Sequence, residues 1–134
     1  MRVEHVPIQW VHRVWDAVEP LLAEAVKYSK GECTIEQLKL YVSQGQWALV
    51  VATDGEKIHG AATINFFNRA NDRVAYITAI GGRLVTNMDN VNQLKNYALS
   101  QGATALEGAV RESMARFCKR YGFEEKYKVV EVKL

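Results

Sequence analysis

Val110-Arg111-Glu112-Ser113-Met114-Ala115-Arg116-Phe117-Cys118-Lys119-Arg120-Tyr121-Gly122-Phe123 is the stretch whose reading decides the fold. Met114, Phe117 and Tyr121 give it one apolar face at helical spacing, and it ends in Gly122-Phe123. Directly upstream, Ala105-Leu106-Glu107-Gly108-Ala109-Val110 reads as a strand. Directly downstream, Tyr127-Lys128-Val129-Val130-Glu131-Val132 reads as a second strand. The C-terminal third is therefore expected to run strand, helix, Gly-Phe, strand.

Working back toward the N-terminus, Thr86-x-x-Asp89 precedes a helix expected from about Asn90 to Gln101. Val91, Leu94, Tyr97 and Ala98 face inward, and Gly102 closes the helix where a left-handed residue is favoured. Val74 to Ile80 is expected to be a central strand, ended by Gly81-Gly82. Trp47 to Thr53 and Ile58 to Phe67 form a hairpin around the Asp54-Gly55 turn. Thr34-x-x-Gln37 matches a capping box for a helix with Ile35, Leu38, Tyr41 and Val42 buried, stopped by Gly45. Before it, Val11, Val14, Trp15, Val18, Leu22, Ala25 and Val26 make a helical stripe. Pro20 predicts a break or kink near Glu19. Val3 to Val6, closed by Pro7, is a short first strand. The order is β-α-α-β-β-β-α-β-α-β in one domain spanning residues 1–134, a mixed α/β class.

Composition narrows the functional classes. A chain of 134 residues suits one domain, and its 49% hydrophobic and 24% charged residues are ordinary for a globular protein. A net charge of +2 gives no argument for nucleic acid. The basic group Arg111, Arg116, Lys119 and Arg120 is diluted by Glu112, Glu124 and Glu125 and has no interleaved aromatic platform, so it reads as a solvated face. Cys33 and Cys118 lack paired spacing and fit a reducing compartment. No apolar run approaches the ~20 residues of a membrane span, and the N-terminus lacks a signal-peptide core. A cytoplasmic location is expected. His5 and His12 recur at no ligand spacing, and His59 reads as a surface histidine, so no metal site is expected. Trp10 and Trp15 stand five apart and point in different directions, so at least one should reach the surface.

The C-terminal ending and the element order resemble the Gcn5-related N-acetyltransferase (GNAT) superfamily. The resemblance implies a central, largely antiparallel sheet flanked by helices, acetyl-coenzyme A as cofactor, and a small-molecule or protein amine as acceptor. The compact sequence, with its Arg111-Glu112-Ser113 helix, also resembles small GNAT-like proteins of tailed bacteriophages. That likeness implies a location in host cytoplasm or virion. It also implies an alternative role, a non-catalytic binding or structural module with a protein partner or a second copy of itself.

The resemblance places the cofactor. The family's strand before the central helix lends backbone hydrogen bonds to the pantetheine arm, which here falls on Thr78, Ala79 and Ile80. The family's pyrophosphate loop falls on Gly82-Arg83-Leu84-Val85-Thr86-Asn87, with Gly81, Gly82, Arg83, Thr86 and Asn87 as candidate contacts and Arg111 as a further one. A helix N-terminus with unpaired amides attracts an anion on general grounds. The later glycines of the family loop are absent, leaving β-carbons at Val85 and Asn87. The family's general-acid tyrosine is replaced by Cys118, and its asparagine seven residues earlier by Arg111. Glu107, a carboxylate in an apolar strand, is the candidate general base; a salt bridge to a nearby basic residue is the alternative reading.

Overall fold

All 134 residues are described by a computed structural model. The elements are β1 (Arg2–Val6), a single 3-10 turn (Ile8–Trp10), α1 (Val11–Val26), α2 (Ile35–Ser43), β2 (Ala48–Thr53), β3 (Ile58–Asn68), β4 (Arg73–Gly82), α3 (Met88–Ser100), β5 (Ala105–Gly108) and α4 (Glu112–Lys119). The strands form one sheet in chain order, antiparallel from β1 to β4, with β5 parallel to β4. The parallel step exists because α3 carries the chain back across the sheet before β5 begins.

Each face of the sheet has its own core. Val11, Trp15, Val18 and Leu22 of α1 and Leu38 and Val42 of α2 pack on Leu49, Val51, Ala61 and Ala79. On the other face Leu94 and Ala98 of α3, with Leu84 and Ala103, pack on Val50, Ala52, Ala62, Ile64 and Ala75. β2 and β3 are covered on both faces, which is why their sequences are near-continuous apolar runs instead of alternating ones. The expected capping box forms: Thr34 Oγ1 accepts from the Gln37 amide at 3.1 Å, and Gln37 Oε1 accepts from the Thr34 amide at 2.9 Å. Trp15 is buried and Trp10 is 42% exposed, so the pair splits between core and surface as its spacing requires.

Three expectations need correction. Pro20 does not break α1, which runs unbroken through it. Losing one helix bond at proline costs about 3 kcal/mol, whereas each fully buried aliphatic side chain of the Val11–Leu22 stripe contributes about 1.5–3 kcal/mol, so packing wins. Gly81 and Gly82 do not end β4 but belong to it, paired with Ala61 and Gly60. Gly81 is there because of α1: a β-carbon at that position would lie 2.0 Å from the Leu21 carbonyl oxygen. The third is the strand over Tyr127 to Val132, which does not form; residues 123–134 carry no regular structure. Alternating valines do not hold a strand without a neighbouring edge, and this segment pairs with none.

Candidate active site

The site follows from where β4 and β5 part. Their ladder runs Val74–Ala105, Ala75–Leu106, Tyr76–Glu107 and Ile77–Gly108, then stops. β4 continues alone through Thr78, Ala79, Ile80, Gly81 and Gly82, hydrogen-bonded only to β3 on its other side. The result is a wedge with one wall of unpaired strand edge. A bulge sits where it opens: Ile64 pairs with Ile77 and Thr63 with Ala79, leaving Thr78 as the extra residue. Bulges re-aim the chain beside active sites. This one is pinned by hydroxyls, since Thr78 Oγ1 donates to the Thr63 carbonyl at 3.0 Å and lies 2.6 Å from Thr63 Oγ1.

Past Gly82, which takes φ +69°, the chain turns into α3. The Arg83 carbonyl holds this turn together, accepting from Thr86 Oγ1 at 3.2 Å and from Asn90 Nδ2 at 3.3 Å. Asn87 caps α3, its Oδ1 accepting from the Asn90 amide at 2.8 Å. The amides of Val85, Thr86, Asn87, Met88 and Asp89 donate to no acceptor in the chain. Five free donors at the positive end of a helix dipole, beside the exposed Arg83 guanidinium, form a cradle for an anionic group. Asp89 in the first turn opposes this charge, and Gln93 Nε2 holds its carboxylate at 2.9 Å. Asn90 Oδ1 is buried without a donor; a phosphate, bringing acceptors at neutral pH, does not satisfy it.

At the apex of the wedge, Glu107 accepts from Arg69 Nη1 and, at 3.4 Å, from Lys126 Nζ. Its side chain is 20% exposed. Burial pushes its pKa up, but the hydrogen bonds and charges of Arg69 and Lys126 outweigh this, and the carboxyl lies below its usual value. Tyr76, its register partner, was not singled out by sequence. It is a half-buried phenol whose pKa is raised by burial and then by the Glu32 and Glu107 carboxylates. Its signal was alternation alone: it shares a sheet face with Glu107, opposite the Ala75–Leu106 pair.

The other candidates lie apart from this apex. Cys118 is half-buried on α4, its thiol pushed up by burial and free of hydrogen bonds. Phe117 and Tyr121 pack edge to face beside it at 5.3 Å. Arg111 caps α4 and lays its guanidinium 3.9 Å over the Tyr28 ring, at the end of α1. His59 Nε2 lies at hydrogen-bond distance, 2.7 Å, from Asp54 Oδ2 in the β2–β3 hairpin. An open depression of about 440 Å³ lies at the end of α4, lined by Lys119, Gly122, Phe123, Glu124 and Glu125 and by no residue of the wedge.

No known protein family matches the sequence, and no curated protein does. Solved structures match the whole fold. A probable acetyltransferase superposes with a TM-score of 0.71 at 15% identity, covering 100% of this chain and 97% of its own. An aminoglycoside acetyltransferase from an uncultured soil metagenomic sample, in complex with sisomicin, gives 0.70 at 15% identity over 99% of this chain and 94% of its own. An aminoglycoside 6'-N-acetyltransferase from Acinetobacter haemolyticus gives 0.66 at 12% identity over 100% and 98%. At these identities the likeness establishes the fold. The mixed α/β sheet with its flanking helices is GNAT-like.

Proposed function

We propose that this GNAT-like chain is an acetyl-coenzyme A-dependent N-acetyltransferase acting on a small-molecule or protein amine. One observation carries the reading: the unpaired edge of β4 runs directly into the free amides at the start of α3. The open edge at Thr78–Gly82 offers backbone donors and acceptors to an extended, amide-bearing arm. The Val85–Asp89 amides and Arg83 suit a pyrophosphate. The residues present fit the cofactor in free N–H donors and in charge, with β-carbons at Val85 and Asn87 where the family loop carries glycines. When bound, acetyl-coenzyme A supplies an acyl group activated as a thioester.

Glu107 is better suited to holding an ammonium than to deprotonating it. The Glu107 carboxyl lies below the usual carboxylate range and an alkylammonium titrates far above it, so proton transfer from the ammonium to Glu107 runs steeply uphill. In this reading Glu107, shared with Arg69 and Lys126, orients the amine as a hydrogen-bond acceptor, and the amine's own ionisation sets how much of it can attack. Tyr76 keeps a proton on Oη at neutral pH at the point where the strands part, and so takes the proton-donor role ahead of Cys118. Calorimetry with acetyl-coenzyme A, followed by coenzyme A release over a panel of amines and lysine-bearing proteins, tests both halves. The two cations on Glu107 also favour a second reading, a binding module that holds acetyl-coenzyme A without turnover; tight binding with no release across the panel would select it.

A further inference from the structure

One amine of the chain already stands where an acceptor would. Lys126 Nζ lies 3.4 Å from Glu107 Oε2, at the apex of the wedge. No other lysine side chain bonds to a residue of the wedge: Lys27 pairs with Glu24, Lys95 donates to the Tyr121 carbonyl and Lys133 pairs with Glu131. Glu107 is already paired with Arg69, and the Lys126 side chain is 54% exposed, so the second ion pair adds little to stability. Its position calls for another explanation.

That position is set by the segment after α4. The helix ends at Gly122, which takes φ +90°, and the Phe123 amide then donates to the Cys118 carbonyl at 3.3 Å. Lys95 of α3 fastens the same corner, donating to the Tyr121 carbonyl at 2.9 Å with its ammonium 6.0 Å from the centre of the Phe123 ring. Three residues beyond Phe123, Lys126 Nζ reaches Glu107 and stands 5.4 Å from the centre of the Tyr127 ring. Tyr127 lies near Arg69 and Tyr76, so the segment crosses the apex instead of leaving it. A short tether from an anchored ring thus delivers one primary amine to the closed end of the wedge.

We propose that Lys126 is an intramolecular acceptor, a self-modification site acetylated on Nζ by acetyl-coenzyme A; this rests on the cofactor reading above. Lys126 first loses one proton to solvent, and the free amine attacks the thioester carbonyl carbon. The N–C bond forms as the C–S bond breaks. The attacking nitrogen gives its surplus proton to water, the departing thiolate takes one from Tyr76 Oη, and water restores the phenol. A tethered amine needs no encounter with a second molecule, which is the advantage of proximity. The product is a neutral amide, so acetylation leaves Glu107 with Arg69 as its remaining cation.

The full chain incubated with saturating acetyl-coenzyme A and followed by peptide mass spectrometry tests this. Lys126 should gain an acetyl group about 10-fold or more faster than Lys128 and Lys133, exposed amines of the same segment that meet no residue of the wedge. Its rate should not depend on protein concentration, and Glu107→Ala, which removes the group that orients the amine, should bring Lys126 down toward the rate of Lys128. Calorimetry on the same chain separates this proposal from the reading beneath it. Binding of acetyl-coenzyme A with Lys126 no faster than Lys128 overturns the self-acetylation and leaves the cofactor reading standing, whereas no binding removes both. A rate that climbs in proportion to protein concentration, or one unchanged in Glu107→Ala, also overturns the intramolecular step. The contact itself is checked without ligand: the Lys126 side-chain NMR signal should move on Glu107→Gln while that of Lys128 stays, and an unmoved Lys126 signal removes the ground of the proposal.

Discussion

Tyr76 and Glu107 face each other across the β4–β5 ladder one residue pair before the two strands separate. A phenol that keeps its proton and a carboxylate that loses its own are thereby fixed at the closed end of a wedge. Strand pairing, with neither side chain free to wander, sets their separation.

Tyr76→Phe removes the phenol proton while leaving the ring. If Tyr76 is the donor, turnover should fall by about 10²-fold or more with acetyl-coenzyme A affinity unchanged. Cys118→Ala should leave turnover within a factor of two or so and cost about 1 kcal/mol of stability through the small void it opens. Steady-state coenzyme A release and urea unfolding on the two variants separate the roles; the reverse pattern would return the donor role to Cys118.

Glu107→Gln should raise the KM for a cationic amine more than it changes the affinity for acetyl-coenzyme A. It also has a pH signature. The folded pKa of Glu107 lies below its unfolded value near ~4.3, so the carboxylate contributes stability above about that pH and loses it as pH falls through the folded pKa. Urea midpoints of wild type and Glu107→Gln should therefore differ at neutral pH and converge as pH falls through the folded pKa of Glu107. Because Glu107 is ionised throughout the neutral range, the rate should rise with pH up to the pKa of the acceptor amine, with no break attributable to Glu107.

Gly81→Ala should be among the most damaging single-methyl changes in the chain. The added carbon would meet the Leu21 carbonyl, a backbone atom with no freedom to rotate away, so α1 and β4 must separate. A loss of about 3 kcal/mol or more, at the upper end for overpacking, is expected in urea unfolding. Gly31→Ala has open space around it, and its cost should be limited to the strain of φ +83°.

Much of the architecture was legible because local signals agreed with the fold. Thr34 and Gln37 announce α2, Gly102 takes φ +81° where α3 should end, and the Asp54-Gly55 turn joins two runs that do pair. What escaped was non-local. The partner of Glu107 is Arg69, 38 residues away, and only the sheet brings them together. The bulge at Thr78 shifts the alternation by one residue, which no period-two reading detects, and it divides Arg73–Ile77 from Ala79–Gly82. Gly81 reads as a turn glycine until α1 is laid against it. The tail carries strand propensity, but propensity does not supply an edge to pair with.

Arg83→Ala should weaken acetyl-coenzyme A binding by about 5- to 20-fold, and added salt should weaken the wild-type complex further, since the ligand is strongly anionic. Arg111→Ala should have the smaller effect, because its guanidinium is engaged on Tyr28. Equal losses in the two variants would place the phosphates between α4 and α1 instead of at the start of α3.

The most direct measurement is an NMR titration of the amide-labelled chain with acetyl-coenzyme A. The wedge reading predicts saturable one-to-one binding, with the largest shifts in the amides of Thr78 to Gly82 and Val85 to Asp89. No binding at millimolar ligand, or shifts confined to residues outside that edge and turn, would contradict it.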